Sequence, residues 1–191
     1  MSDARRNVDL AIIGLSCRFP GAATAEEYWK NLCDGVESIT FFSDQELVAA
    51  GVDPALVANP RYVKAAPMLR DVEMFDESFF GYSPKDAALM DPQHRLFLEV
   101  CWETFENAGY DPVGYPGKVG VLSTAGGVVT SYLLAKLHHA DFPGQTASTS
   151  HINNDKDFLS TRVSYKLNLR GPSFTIQSAC SSSLLAVVSD K

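Results

Sequence analysis

The chain has 191 residues, 46% of them hydrophobic, which is enough apolar material for a sizeable core and too much for a disordered protein. Twenty-three Asp and Glu against sixteen Lys and Arg leave a net charge of −7, and the basic residues are scattered, which excludes the basic stripe of a nucleic-acid binder. Four widely spaced cysteines, with no Cys-x-x-Cys pair and no histidine at ligand spacing, argue against both a disulfide framework and a metal site.

Val8 to Leu15 (VDLAIIGL) is a nearly continuous apolar run closed by Gly14 and Pro20-Gly21, the pattern of a strand buried on both faces of an α/β sheet. It is short and flanked by Asp3 and Asp9, unlike a signal-peptide core, and no other run approaches the ~20 apolar residues of a membrane span. A cytoplasmic protein with no membrane partner is expected. Thr24-Ala25-Glu26-Glu27 has capping-box spacing and opens an amphipathic helix carrying Trp29, Leu32, Cys33 and Val36, with Gly35 near its end.

From Thr40 to Pro84 the chain is punctuated by Asp53-Pro54, Asn59-Pro60, Ala66-Pro67 and Ser83-Pro84 and shows no period, so a mostly irregular insertion is predicted. Its aromatics Phe75, Phe79, Phe80 and Tyr82 are expected to anchor it to the core. Asp91-Pro92-Gln93-His94-Arg95 then opens the clearest helix, with Asp91 as N-cap and Pro92 at the first helical position. Leu96, Val100 and Phe105, with Phe97 and Cys101 alongside, form the predicted apolar stripe, and Gly109 with Pro112 ends it.

Lys118 to Thr124 reads as a second strand and Val128 to Leu137 as a helix. A further helix is predicted over Asp155 to Leu167, followed by a strand in which Phe174 and Ile176 alternate with Thr175 and Gln177. No repeat, linker or low-complexity tract divides the chain, so a single domain is expected.

That strand runs into Ser178-Ala179-Cys180-Ser181-Ser182-Ser183-Leu184 (SACSSSL), with a helix beginning at Cys180. Strand, sharp turn and helix together expose a nucleophile where unpaired N–H groups favour a thiolate, and small neighbours leave room for a tetrahedral intermediate. A thiolate also attacks a thioester readily and leaves again, which suits acyl transfer. The local pattern leaves two readings open: Cys180 as nucleophile, or Cys180 as a small buried hydrophobe. Cys17, Cys33 and Cys101 lie in apolar stripes or strands and are read as core. Ser181, Ser182 and Ser183 have no identified base beside them and are read as small packing and hydrogen-bonding residues.

Five blocks occur in order: DLAIIGLSCRFPG from Asp9, FDESFFG from Phe75, DPQHR from Asp91, NDKDFLSTRVSYKLNLRGP from Asn154, and SACSSSL. Together they resemble the N-terminal part of a ketosynthase domain from a modular type I polyketide synthase, a β-ketoacyl synthase. The resemblance implies an α/β fold class, the N-terminal half of a thiolase-like fold with α-β-α layers, left incomplete, with residues 1–191 forming part of one domain. It implies that Cys180 takes an acyl chain from the phosphopantetheine arm of an acyl carrier protein. Decarboxylative condensation with a malonyl-type extender follows. No cofactor or metal held by the chain itself is implied. Other polyketide synthase domains are the implied partners, and the complete domain is expected to be a homodimer pairing through Ser173 to Gln177.

The family's two catalytic histidines and lysine lie downstream of its cysteine, and the four histidines here, His94, His138, His139 and His151, do not take their place. The chain is therefore expected not to condense on its own and to expose apolar faces. The alternative expectation is a non-catalytic interaction module, or a split-subunit partner of a ketosynthase. A cysteine hydrolase is weaker, because no His with Asp or Asn is arranged for it.

Overall fold

A computed structural model describes residues 10–126 and 154–189. They fall into two compact units, one of residues 17–72 and one of residues 10–16 together with 73–126 and 154–189. The predicted helix at Val128 to Leu137 and the histidines at 138, 139 and 151 lie outside the described residues.

In the 17–72 unit, α1 (Ala25–Asp34) starts where predicted: Thr24 Oγ1 accepts from the Glu27 N–H at 3.2 Å. Glu27 reaches back one residue further than a capping box requires, accepting from the Ala23 N–H at 2.8 Å. α1 buries none of its side chains, so Cys33, read as core, is instead exposed. An apolar stripe shows which face seeks cover, not whether cover is present.

The stretch expected to be irregular holds β1 (Ile39–Phe41), α2 (Asp44–Ala49), α3 (Pro54–Val57) and β2 (Ala65–Pro67). β1 and β2 pair antiparallel, with Thr40 opposite Ala66. These elements escaped the periodicity reading because each is six residues or shorter, too short to display a period. Their caps carry a local signal that a search for periodicity passes over. Ser43 and Glu46 form a complete capping box, and Asp53 caps α3 ahead of Pro54.

The second unit opens its helical part with α4 (Pro84–Leu89) and α5 (Pro92–Ala108). Asp91 Oδ1 accepts from the Gln93 N–H at 2.7 Å, and Asn154 Oδ1 accepts from the Asp91 N–H, tying the start of α5 to a segment 63 residues away. Gly109 ends the helix at φ 76°, a left-handed conformation that favours glycine.

The buried row of α5 differs from the predicted stripe. His94, Arg95 and Leu98 are buried; Phe97, Cys101 and Phe105 of the predicted stripe, with Trp102, are half-buried against the core cluster, and Leu96 and Val100 are half-buried without belonging to it. The row 94, 98, 101, 105 has helical spacing, but a histidine at its head disguises it. Phe80, Leu98, Val121, Val163 and Leu167 form the core cluster, with Phe75 and Tyr82 against it, so three of the four aromatics expected to anchor, Phe75, Phe80 and Tyr82, do so. Phe79, more exposed, still sets its ring edge-on to Phe80 and Trp102 at 4.9 Å.

β3 (Val121–Ser123) and β4 (Ser173–Thr175) pair in parallel, with Leu122 opposite Phe174. Before β4, a 3-10 turn over Lys156–Phe158 leads into α6 (Leu159–Lys166). α6 packs on both strands and α5 packs on α6, giving helices over a parallel pair. Gly171 makes the approach to β4 possible: a Cβ there would overlap the Val119 carbonyl and the Gly120 nitrogen.

Over its described residues the first predicted strand does not form. Leu10 to Leu15 makes no ladder among the described residues, and Ile12 is 89% exposed. An apolar run becomes a strand only where another strand lies beside it. Here the segment is pinned to α5 instead, Leu15 donating its N–H to Asn107 Oδ1 at 3.0 Å and Ser16 its hydroxyl to Glu103 at 2.6 Å. An open groove of about 720 Å³ lies between this segment, α5 and β3, lined by Ile12, Phe97, Cys101, Phe105 and Leu169 among others.

Candidate active site

The end of β4 is fixed to β3 from several directions. Ile176 donates its N–H to the Ser123 carbonyl at 2.8 Å, and Gln177 Nε2 donates to the Ala125 carbonyl at 3.1 Å. Thr175 Oγ1 donates to the Lys156 carbonyl at 3.0 Å, which spends its proton, so the hydroxyls of Ser123 and Ser160, at 3.1 and 3.3 Å, donate to it.

The chain then turns sharply. Ala179 sits at φ 47°, a left-handed conformation that costs a residue with a Cβ ~1–2 kcal/mol. A 3-10 turn over Ala179–Ser181 follows, and α7 (Ser182–Val188) continues from it. Cys180 lies in the middle of the 3-10 turn with its thiol exposed. The predicted helix start is thus displaced by two residues, because the turn after the left-handed Ala179 closes more tightly than an α-helical one.

Three serine hydroxyls hold this turn. Ser181 Oγ donates to the Ser178 carbonyl at 2.8 Å and receives the Ser178 hydroxyl at 2.9 Å. Ser182, 4% exposed, donates its hydroxyl to the Ala179 carbonyl at 2.8 Å and accepts the Ser178 N–H at 2.7 Å. Ser181 and Ser182 therefore do the hydrogen bonding that sequence reasoning gave them.

The other polar centre of this unit involves His94. Its Nδ1 accepts from Arg162 Nε at 3.1 Å, and Arg162 also reaches Tyr82 Oη at 3.4 Å. Burial pushes the imidazole down to about 4, and the Arg162 charge adds to this against Asp155 and the Asn154 main chain. His94 is consequently neutral at physiological pH and committed to Arg162, a structural histidine. Cys101 is a core thiol that burial pushes up to about 12, as its place in the stripe suggested, while Cys17 is half-buried. Among the described residues, no helix is long and apolar enough to cross a membrane.

The sequence profile described as "Beta-ketoacyl synthase, N-terminal domain" matches residues 7–189. The chain belongs to the β-ketoacyl synthase family. Its relatives are modular polyketide synthases. It is 45% identical over 186 residues to a phenolphthiocerol/phthiocerol polyketide synthase of Mycobacterium tuberculosis, an alignment covering 93% of this chain and 12% of that protein. With the polyketide synthase PksN of Bacillus subtilis it shares 38% over 178 residues, 93% of this chain and 3% of the relative.

Among solved structures, ketosynthase twelve of the bacillaene polyketide synthase of Bacillus amyloliquefaciens superposes with a TM-score of 0.77 at 40% identity, over 94% of this chain and 31% of that one. The module 1 ketosynthase of the bacillaene synthase from the same species gives 0.73 at 39%, over 92% and 30%. The ketosynthase chain is thus an incomplete α/β unit of the thiolase-like fold, spanning about a third of these ketosynthases and an eighth or less of the two synthases named.

Proposed function

We propose that residues 1–191 form the nucleophile-bearing, N-terminal part of one ketosynthase domain, with Cys180 as the acyl acceptor. The observation that carries this reading is an exposed thiol on a strained turn between a parallel strand and a helix, in a member of the β-ketoacyl synthase family. The Cys180 thiolate attacks the thioester carbonyl of an acyl chain borne on the phosphopantetheine of an acyl carrier protein. The carbonyl–sulfur bond to the carrier breaks, and the carrier thiol leaves with a proton. A malonyl-type extender then loses carbon dioxide, its carbanion forms the new carbon–carbon bond at the acyl carbonyl, and the Cys180 thiolate is released. The enzyme class is that of acyltransferases of the 3-oxoacyl carrier-protein synthase type.

The same reading includes a cytoplasmic setting, neighbouring polyketide synthase domains as partners, and a homodimer of the complete domain. Residues 1–191 alone are expected to load but not to condense. His94, the one histidine among the described residues, is buried against Arg162 and cannot exchange a proton near neutrality.

Intact-mass spectrometry after incubation with an acyl thioester tests the assignment: one acyl group is expected on the unsubstituted protein and none on Cys180→Ala. Equal uptake by both proteins defeats it. A second reading, a non-catalytic module that pairs with a ketosynthase through Ser173 to Gln177, is favoured by one observation: Phe174 of β4 is 59% exposed. Size-exclusion chromatography showing no association with a ketosynthase removes that reading.

A further inference from the structure

Ser182 is the only buried residue of α7, yet its side chain is a hydroxyl, and both of its hydrogen bonds close around Ala179. On one side it accepts the N–H of Ser178. On the other it donates to the carbonyl of Ala179 itself. The N–H that opens the Ser178–Ala179 pair and the carbonyl that closes it are therefore both tied to a single atom, which is in turn shielded from water.

Left-handed alanine persists only where its surroundings over-determine it. Ser181 holds the peptide before Ala179, its hydroxyl and N–H both reaching the Ser178 carbonyl, but from an exposed position; the carbonyl of Ala179 itself is held by Ser182, through its N–H and its buried hydroxyl. We infer that Ser182 is a positioning residue, holding Ala179 in its left-handed conformation and so presenting the Cys180 thiol in the orientation that acyl transfer needs. The inference rests on the reading of Cys180 as acyl acceptor, but it concerns a different residue and fails separately.

The test compares near-isosteric replacements in the full-length protein: Ser182→Thr, which keeps a hydroxyl, and Ser182→Val, which does not. The readouts are the rate of acyl transfer to Cys180 from an acyl N-acetylcysteamine thioester and the rate of its alkylation by iodoacetamide, both followed by peptide mass spectrometry. Acyl transfer is expected to fall about tenfold or more in the valine variant, a change of ~1.4 kcal/mol in the barrier at tenfold. The threonine variant is expected to stay within about threefold of the unsubstituted protein. Alkylation, which has little need of orientation, is expected to change by less than about threefold in both.

Ala179→Gly removes the reason for the constraint, since glycine adopts positive φ freely. Adding it to Ser182→Val is expected to restore most of the lost acyl transfer. Threonine and valine impairing transfer equally would show that volume rather than the hydroxyl matters, and would overturn the inference, as would a double variant as slow as valine alone. If the valine variant does not fold, Ser182→Ala with and without Ala179→Gly makes the same comparison. An unsubstituted protein that takes no acyl group on Cys180 defeats the nucleophile reading. One that does, with valine equally fast, defeats only the role of Ser182.

Discussion

The junction of α5 with α6 and the elbow after β4 both rest on polar side chains, but in opposite surroundings. At the junction, His94 and Arg162 are hydrogen-bonded beside a core of Leu98, Val163 and Phe80, and the imidazole has been taken out of water. At the elbow, hydroxyls bind one another and the main chain around an exposed cysteine, with Ser182 alone buried. The first arrangement derives its position from packing and transmits any change as stability. The second derives its position from local hydrogen bonds, so a change there alters geometry more than stability.

The largest expected effect lies at the junction. Leu98 is fully buried at the centre of the core cluster, and Leu98→Ala is expected to cost about 2–5 kcal/mol from lost transfer energy and the cavity left behind. The urea midpoint of the full-length protein measures it. A loss under about 1 kcal/mol would break the comparison, because packing would not then be what holds the junction. Acyl uptake per folded molecule should be unchanged in the same variant.

The next effect comes from protons. Folded His94 sits at about 4 and an ordinary histidine at 6.5, so between these values the unfolded chain binds a proton that the folded one refuses. Stability from this group is complete above about pH 6.5 and falls as pH drops toward 4, by about 3 kcal/mol in all at ~1.36 kcal/mol per pH unit. Protonation also turns Nδ1 into a donor facing the Arg162 donor. His94→Gln keeps an acceptor for Arg162 and is expected to flatten the difference in urea midpoint between pH 7 and pH 5. An equal slope in both proteins would place the pH sensitivity elsewhere.

The comparison also explains what could be read in advance. Caps and stops were legible because they depend on chemistry within four residues: Thr24, Asp91 and Gly109 stand where their types require. The elbow was legible for the same reason, as Cys180 among small residues after an alternating strand. The burial of His94 was not, since it depends on Arg162, 68 residues away, and no local pattern carries that partner. Leu10 to Leu15 misled in the other direction: its apolar content speaks of burial, but a strand needs a neighbour that composition cannot supply. Ser182 was legible as a small hydrogen-bonding residue, whereas its grip on Ala179 required the backbone angle.

Between core and elbow stands the crossing that feeds one into the other. Gly171 donates its N–H to the Val119 carbonyl at 2.9 Å, and the Pro172 carbonyl accepts from Val121 at 2.8 Å. A methyl group at residue 171 would meet backbone that cannot swing aside, so Gly171→Ala is expected to cost about 1–3 kcal/mol. Because β4 leads directly to the elbow, this variant should lower both the urea midpoint and the rate of acyl uptake. A change in only one of them would show that core and elbow are less connected than the β3–β4 register implies.

The smallest effect on stability is expected where the effect on chemistry is total. Cys180 is exposed and none of the hydroxyl bonds that shape the turn passes through its side chain, so Cys180→Ala removes little that the fold uses. Its urea midpoint should correspond to a change within about 0.5 kcal/mol, as for other surface positions. Acyl uptake should vanish. A large loss of stability would instead mean that the thiol is part of the turn's own packing, and the contrast between a junction held by burial and an elbow held by hydroxyls would then fail at its most exposed residue.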